Sequence, residues 1–164
     1  MQDVGFLLLA GGQSRRMGGG DKNQLHLGSK SVLQHVLDRV DRTGAPTAIN
    51  ANGDPQRFAD YGLPVIADVV DGYAGPLAGI LTGLEWMASN HPNQTHMISL
   101  ATDAPFLPPD LAHRLYARLG SDTDIVQAQS FGQRHPVFAI WPVALVADLR
   151  RAVCNEGVRK IDHF

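Results

Sequence analysis

Residues 4–23 have the sequence VGFLLLAGGQSRRMGGGDKN, in which an apolar run leads directly into a glycine-rich, cationic loop. Gly5 to Leu9 are nearly all apolar, as expected of a strand that is buried on both faces of a parallel sheet. Glycines let backbone N–H groups approach a ligand, and successive N–H groups in such a loop form an anion-binding nest. Arg15, Arg16 and Lys22 add positive charge. The stretch therefore predicts a strand followed by a polyphosphate-binding loop.

This loop matches neither of the two common nucleotide-binding motifs. A P-loop requires glycine directly before its Lys-Ser or Lys-Thr pair, and the Lys30-Ser31 pair follows Ser29. The dinucleotide fingerprint G-x-G-x-x-G, started at Gly18, requires a third glycine at the position of Asn23.

The order of residues 9–22 instead resembles the nucleotidyltransferase signature L-A-G-G-x-S-x-R-M-G-x-D-K. The Gly-Gly pair after Leu9-Ala10 and the Met-Gly-Gly-x-Asp-Lys ending are most similar to the molybdenum cofactor guanylyltransferase (MobA) family. The corresponding cytidylyltransferases typically have Leu-Ala-Ala-Gly. The resemblance covers nearly the whole chain and is densest over residues 9–22 and 68–105.

Strand and helix patterns alternate along the rest of the chain, which is typical of α/β proteins with a parallel sheet. Apolar periodicity predicts a helix after an N-cap at Ser31. The fold class predicted is a three-layer αβα sandwich, Rossmann-like, with a mostly parallel sheet and one antiparallel strand near the C-terminal end. The other predicted strands are 47–51, 64–67, 96–101, 124–128 and 136–141, and the other predicted helices are 76–87, 108–119, 142–153 and an amphipathic segment from 158 to 164.

The composition is that of one ordinary globular domain, because 44% of the 164 residues are hydrophobic and 18% are charged. The net charge of −2 gives no indication of a nucleic-acid-binding surface. Cys154 is the only cysteine, which excludes an internal disulfide and fits a reducing compartment. The chain shows no signal-peptide pattern and no apolar run of membrane-spanning length. These features predict a cytoplasmic protein without nucleic-acid or membrane partners.

Polar residues follow several predicted strands, at the sheet edge where open α/β folds bind ligands. They are Asn50 and Asn52 after the second strand, Asp68 after the third, and Asp103 after the central strand. Asp103 is the candidate Mg²⁺ ligand, since Mg²⁺ prefers carboxylate and phosphate oxygens. The alternative for each of these residues is an ordinary turn or capping role.

The family resemblance implies specific roles for residues of this edge. Lys22 and Arg16 would act on the phosphates with Asp103, while Asn50 and Asp68 would contact the nucleoside. The segment from Gly72 to Gly79 resembles the family's Gly-Pro-Leu-Ala-Gly motif, in which Leu77 would pack on the base; ordinary helix initiation is the alternative. Arg134, in a Gln-Arg-His-Pro segment, would meet the acceptor phosphate, unless the segment is simply a hairpin turn. The implied nucleotide-binding residues are Leu9, Ala10, Gly11, Gly12, Lys22, Asn50, Asp68, Gly75 and Asp103.

The same resemblance implies a single nucleotidyltransferase domain over residues 1–164, lacking the family's C-terminal segment. It implies transfer of GMP from GTP to the phosphate of molybdopterin, with or without bound molybdenum, and release of pyrophosphate. Mg²⁺ would be the cofactor, and other cofactor-biosynthesis proteins and acceptor molybdoenzymes would be partners. Two alternatives stay open from the residues alone: a related transferase that uses CTP or a sugar-phosphate acceptor, and a nucleotide-binding module without catalysis.

Overall fold

The computed structural model describes residues 1–10, 25–70, 72, 75–121 and 124–164. The predictions for Gly11, Gly12, Arg15, Arg16 and Lys22 therefore lie outside the described residues.

A six-stranded sheet organises the described chain. Its strands are β1 (Val4–Leu9), β4 (Thr47–Asn50), β5 (Val65–Ile66), β6 (His96–Ala101), β7 (Val126–Ser130) and β8 (Gln133–Pro142), in the order β5-β4-β1-β6-β8-β7. The first four strands of this order run parallel, and β8 is antiparallel to both β6 and β7. The sheet is thus mostly parallel with one reversed strand, which confirms the prediction.

Helices cover both faces of this sheet. They are α1 (Val32–Arg39), α2 (Pro76–Asn90), α3 (Leu111–Tyr116) and α4 (Val146–Cys154), with short 3₁₀ helices at Pro55–Tyr61, Val143–Leu145 and Ile161–His163. The predicted N-cap of α1 is confirmed, because the Ser31 hydroxyl accepts the backbone N–H of Gln34 at 3.1 Å. Within the described residues, no helix combines the length and apolar character needed to cross a bilayer.

Strand β1 lies at the centre of the core and buries side chains on both faces. Phe6 and Leu8 pack into a cluster with residues of α1 and α3, whereas Leu7 packs into a second cluster with residues of α2 and α4. All three side chains are at most 1% exposed, and full burial of such a side chain contributes about 1.5–3 kcal/mol. The alternation between two cores establishes the three-layer αβα sandwich.

The structure differs from the sequence prediction at several short elements. A small hairpin of β2 (His26–Leu27) and β3 (Lys30–Ser31) was not predicted, because two-residue strands show no periodicity. The predicted helix over residues 158–164 is wrong: only Ile161–His163 form a 3₁₀ turn, and Ile161 alone of this turn is buried. Gly157, with a φ of 69°, turns the chain after α4.

Candidate active site

The four parallel strands end level with one another at one edge of the sheet. Leu9 at the end of β1 lies beside Asn50 of β4 and Ala101 of β6, and Asn50 lies beside Ile66 of β5. The next residues extend this alignment, since the Ala10 N–H donates to the Asn50 carbonyl at 2.9 Å. The chain therefore leaves the sheet at the same height in every parallel strand.

Three of the polar residues predicted for the site follow their strand ends by the same number of residues. Asp68, Asn52 and Asp103 each stand two residues beyond the aligned row, and the glycine-rich loop begins at the matching position, residue 11. Neighbouring strands are about 4.8 Å apart, so three steps across the sheet separate the strand ends that precede Asp68 and Asp103 by roughly 14 Å. This edge of the sheet, called the cradle below, carries one carboxylate at each end.

Asp103 occupies the β6 end of the cradle. Preceding Thr102 is 2% exposed, and its hydroxyl donates to the Leu9 carbonyl at 3.1 Å, which fastens the end of β6 to the end of β1. Asp103 itself is exposed. No described residue forms a hydrogen bond or ion pair with its carboxylate, and no cluster of three metal-ligating side chains occurs in the described ranges. A single open carboxylate fits Mg²⁺, which commonly takes one or two carboxylates together with phosphate oxygens.

Asp68 occupies the β5 end, where two amides hold its carboxylate. Asn50 Nδ2 donates to Asp68 Oδ1 at 2.9 Å, and Asn52 Nδ2 donates to Asp68 Oδ2 at 2.7 Å. The following residue is fixed as well, because the Val69 N–H donates at 2.9 Å to the hydroxyl of Thr82 on α2. Asp68 is half-buried. Its carboxylate is thus held in one orientation at the edge of the sheet.

Asn50 lies beneath Asp68 and is only 3% exposed. Its Nδ2 also donates to the Ile66 carbonyl at 3.2 Å. Its Oδ1 lies so close to Gly79 of α2 that a Cβ at that glycine would overlap it. Asn50 is therefore placed to support Asp68 from below. Asn52 was predicted only as one of the polar residues at this edge, from its position after β4, and Gly79 only as part of the Gly72–Gly79 segment; neither was predicted to contact Asp68 or Asn50.

The Gly-Pro-Leu-Ala-Gly segment starts α2 and allows this helix to lie close to the sheet. Gly75 is the N-cap residue, and a Cβ there would lie 3.2 Å from the Arg159 carbonyl oxygen. Leu77 is fully buried in the core cluster of α2 and α4. The prediction that Leu77 packs on a bound base is therefore wrong, because its side chain presents no surface to a ligand.

The segment around Arg134 forms one strand of a hairpin. Phe131 and Gly132, with φ values of 48° and 78°, join β7 to β8, as in a type I′ turn. Arg134 pairs with Asp162 at 3.6 Å, and both side chains are about half exposed. An exposed ion pair of this kind contributes little stability. Residues 133–136 therefore lie in strand β8, directly after the hairpin turn rather than in the turn itself, and the contact of Arg134 with an acceptor stays a prediction.

Comparison with known proteins identifies the family. Residues 6–163 match the model of the MobA-like NTP transferase domain. The chain is 52% identical, over 159 residues, to a protein named molybdenum cofactor guanylyltransferase from Rhodopseudomonas palustris strain BisB5. That match covers 96% of this chain and 76% of the relative, so the chain spans about three quarters of the relative's length.

Solved structures share the fold at lower identity. Molybdopterin-guanine dinucleotide biosynthesis protein A from Archaeoglobus fulgidus superposes with a TM-score of 0.72 at 23% identity, over 96% of this chain and 76% of that one. A Mycobacterium tuberculosis protein solved in complex with manganese gives a TM-score of 0.69 at 21% identity, over 99% and 83%. With the family model matched almost end to end, this chain belongs to the MobA-like nucleotidyltransferases.

Proposed function

We infer that this chain is a molybdenum cofactor guanylyltransferase, which transfers GMP from GTP to the phosphate of molybdopterin. The observation that carries the inference is the 46–53% identity, over almost the whole chain, to several proteins with that name. In the reaction an acceptor phosphate oxygen attacks the α-phosphorus of GTP. The bond from the α-phosphorus to the bridging oxygen breaks, and pyrophosphate leaves. The acceptor is already ionised at neutral pH, so the reaction requires no general base.

We propose that the cradle binds GTP with the guanosine at the β5 end and the phosphates beside the glycine-rich loop. The fixed carboxylate of Asp68 supports this direction, since a carboxylate accepts hydrogen bonds from nucleoside donors and would repel phosphates. Asn50 acts through Asp68 in this proposal because it is buried. The residues proposed to contact the nucleotide are Leu9, Ala10, Gly11, Gly12, Lys22, Asp68, Gly75 and Asp103, with Asn50 as the support of Asp68.

Catalysis in this proposal rests on positioning and charge. Lys22 and Arg16 stabilise the charge that develops on the departing pyrophosphate, and Asp103 holds Mg²⁺. Bound Mg²⁺ would neutralise phosphate charge next to the reacting centre. Asp103 is exposed, and its carboxylate has no hydrogen-bond or ion-pair partner among the described residues, which supports this assignment. The proposed partners are GTP, molybdopterin with or without molybdenum, other cofactor-biosynthesis proteins and acceptor molybdoenzymes, in a cytoplasmic setting.

The test is a reconstituted reaction with GTP, Mg²⁺ and molybdopterin, followed by chromatography and mass spectrometry. The proposal predicts a guanine dinucleotide of molybdopterin and stoichiometric pyrophosphate. The matched control is Asp103→Asn, which should bind GTP and form little product. Stable binding of GTP without product in the unaltered protein would favour the non-catalytic alternative, and a cytosine dinucleotide from CTP would favour the cytidylyl alternative.

A further inference from the structure

Asn52 forms two hydrogen bonds with Asp68, and it is not among the residues proposed above to contact GTP. Asn52 Nδ2 donates to Asp68 Oδ2 at 2.7 Å, and Asn52 Oδ1 accepts the Asp68 backbone N–H at 2.8 Å. A carboxylate only accepts and a backbone N–H only donates, so these partners fix which end of the amide is which. One amide thereby sets both the backbone and the carboxylate of Asp68.

Asn52 is itself anchored by its neighbours in the sequence. The guanidinium of Arg57 donates to the Asn52 carbonyl at 2.7 Å and, through Nε, to the Asp54 carbonyl at 3.0 Å. The 3₁₀ helix Pro55–Tyr61 carries Arg57 and begins with an Asp54 cap on the Gln56 N–H at 2.9 Å. The exposed loop after β4 is therefore braced, so that Asn52 reaches Asp68 in one conformation.

The acceptor capacity of Asp68 indicates what it can bind. A carboxylate offers about four lone-pair positions, two on each oxygen. The Asn50 amide uses one position on Oδ1, and the Asn52 amide uses one on Oδ2. One acceptor position therefore remains on each of the two neighbouring carboxylate oxygens. Two adjacent donors are the matching partner, and the N1–H and N2–H₂ groups of guanine form such a pair. Adenine and cytosine each place an acceptor next to their amino group, and uracil has a single N–H on this edge.

We propose that Asn52 is a positioning residue for guanine selection, acting through Asp68. It aims the free acceptor positions of that carboxylate at the N1–H and N2–H₂ edge of the base. The proposal rests on the guanylyl-transfer function inferred above. Asn52 is a better residue to replace than Asn50, because Asn52 is exposed and its replacement leaves the core intact.

The test compares binding of GTP and ITP, which differ only in the N2 amino group of the base, by isothermal titration calorimetry. In Asn52→Asp, the acceptor for the Asp68 N–H is kept but an oxygen replaces the donor that faces Asp68 Oδ2. Asn52→Ala removes both contacts. Asn93→Ala, in the exposed turn after α2 at the opposite edge of the sheet, is the matched control. All variants are also unfolded in urea to verify folding.

The proposal predicts that the GTP dissociation constant rises about tenfold in both Asn52 variants, while the ITP constant changes less than threefold. The preference for GTP over ITP therefore falls, whereas Asn93→Ala keeps it. Equal weakening of GTP and ITP, or an unchanged ratio, overturns the proposal. A change in selectivity against 2′-deoxy-GTP, with the ITP ratio intact, also overturns it, because Asp68 would then contact the ribose. Failure of guanylyl transfer in the unaltered protein would contradict the proposed function separately, since this test measures binding alone.

Discussion

Gly79 controls how closely α2 approaches the nucleotide cradle, and Gly79→Ala tests that role. A Cβ at this position would overlap Asn50 Oδ1 and would lie 2.7 Å from Leu9 Cδ2. The Asn50 amide cannot withdraw easily, because its Nδ2 is hydrogen-bonded to Asp68 and to the Ile66 carbonyl. The added methyl group must therefore displace either α2 or the amide that supports Asp68.

The magnitude follows from two opposing terms. Replacing glycine by alanine in a helix stabilises it by about 1 kcal/mol, whereas overpacking a dense core costs about 1–3 kcal/mol. Disturbing the part-buried hydrogen bond between Asn50 and Asp68 costs about 1 kcal/mol more in the free energy of unfolding. We expect a net loss near 2 kcal/mol, which lowers the melting temperature by roughly 4–8 °C in a domain of this size. Displacement of Asp68 should also weaken GTP binding about tenfold.

The assay combines urea unfolding with calorimetric titration of GTP, and Gly83→Ala is its control. Gly83 lies one turn further along α2, and a Cβ there would overlap Leu7 Cδ2 and lie 2.8 Å from Met97 Sδ, both apolar side chains of the core. Gly83→Ala should lose stability while keeping the GTP dissociation constant within twofold. Equal effects of the two variants on GTP binding, or a Gly79→Ala protein with full affinity, would refute the reasoning.

Three further predictions concern other parts of the molecule. Asp103→Asn should lower kcat about a hundredfold and change the GTP dissociation constant far less; turnover within about threefold of the original enzyme would show that Asp103 does not hold the metal. The Thr95 hydroxyl donates to Asp3 at 2.7 Å and holds the pKa of that carboxyl below its ordinary value of 3.8. The stabilisation is therefore complete above pH 3.8 and is lost as the pH falls through the lower pKa of the folded state. Asp3→Asn should lower the free energy of unfolding in urea by about 0.5–1 kcal/mol at pH 7 and by almost nothing at pH 2. The same loss of stability at both pH values would contradict this linkage. Ser99→Ala removes the acceptor, at 2.8 Å, of the buried Trp141 indole N–H, which should destabilise the fold by about 2 kcal/mol in the same assay; a neutral result would mean that this N–H finds another partner.

The long apolar elements could be predicted from the sequence because their burial dominates their local conformation. The run ending at Leu9 forms the predicted strand, and the periodic residues after Ser31 form the predicted helix. The segment around Ile161 shows why the same signal fails elsewhere. Its apolar spacing suggested a helix, but the spacing also fits a short turn that buries one side chain, and the turn at Gly157 breaks the continuity with α4.

The site could be predicted as a set of strand ends, but its internal contacts could not. Parallel strands place their carboxyl ends at one edge, so the proximity of Asn50, Asp68 and Asp103 to a common cradle follows from topology. Asn50 is buried, whereas Asn52 is exposed. This difference depends on the close approach of α2 to Asn50, which Gly79 permits. This is a tertiary packing effect that no local pattern in the sequence reports.

The central claim is that this chain transfers the guanylyl group of GTP, and the fate of isotopic label tests it most directly. The protein is incubated with molybdopterin, Mg²⁺ and GTP labelled at either the α- or the γ-phosphate, with α-labelled CTP in parallel. The account predicts that the α-label of GTP enters the dinucleotide, the γ-label appears only in pyrophosphate, and CTP yields no labelled product. Label from CTP in the product, or no transfer of the α-label from GTP, would contradict it.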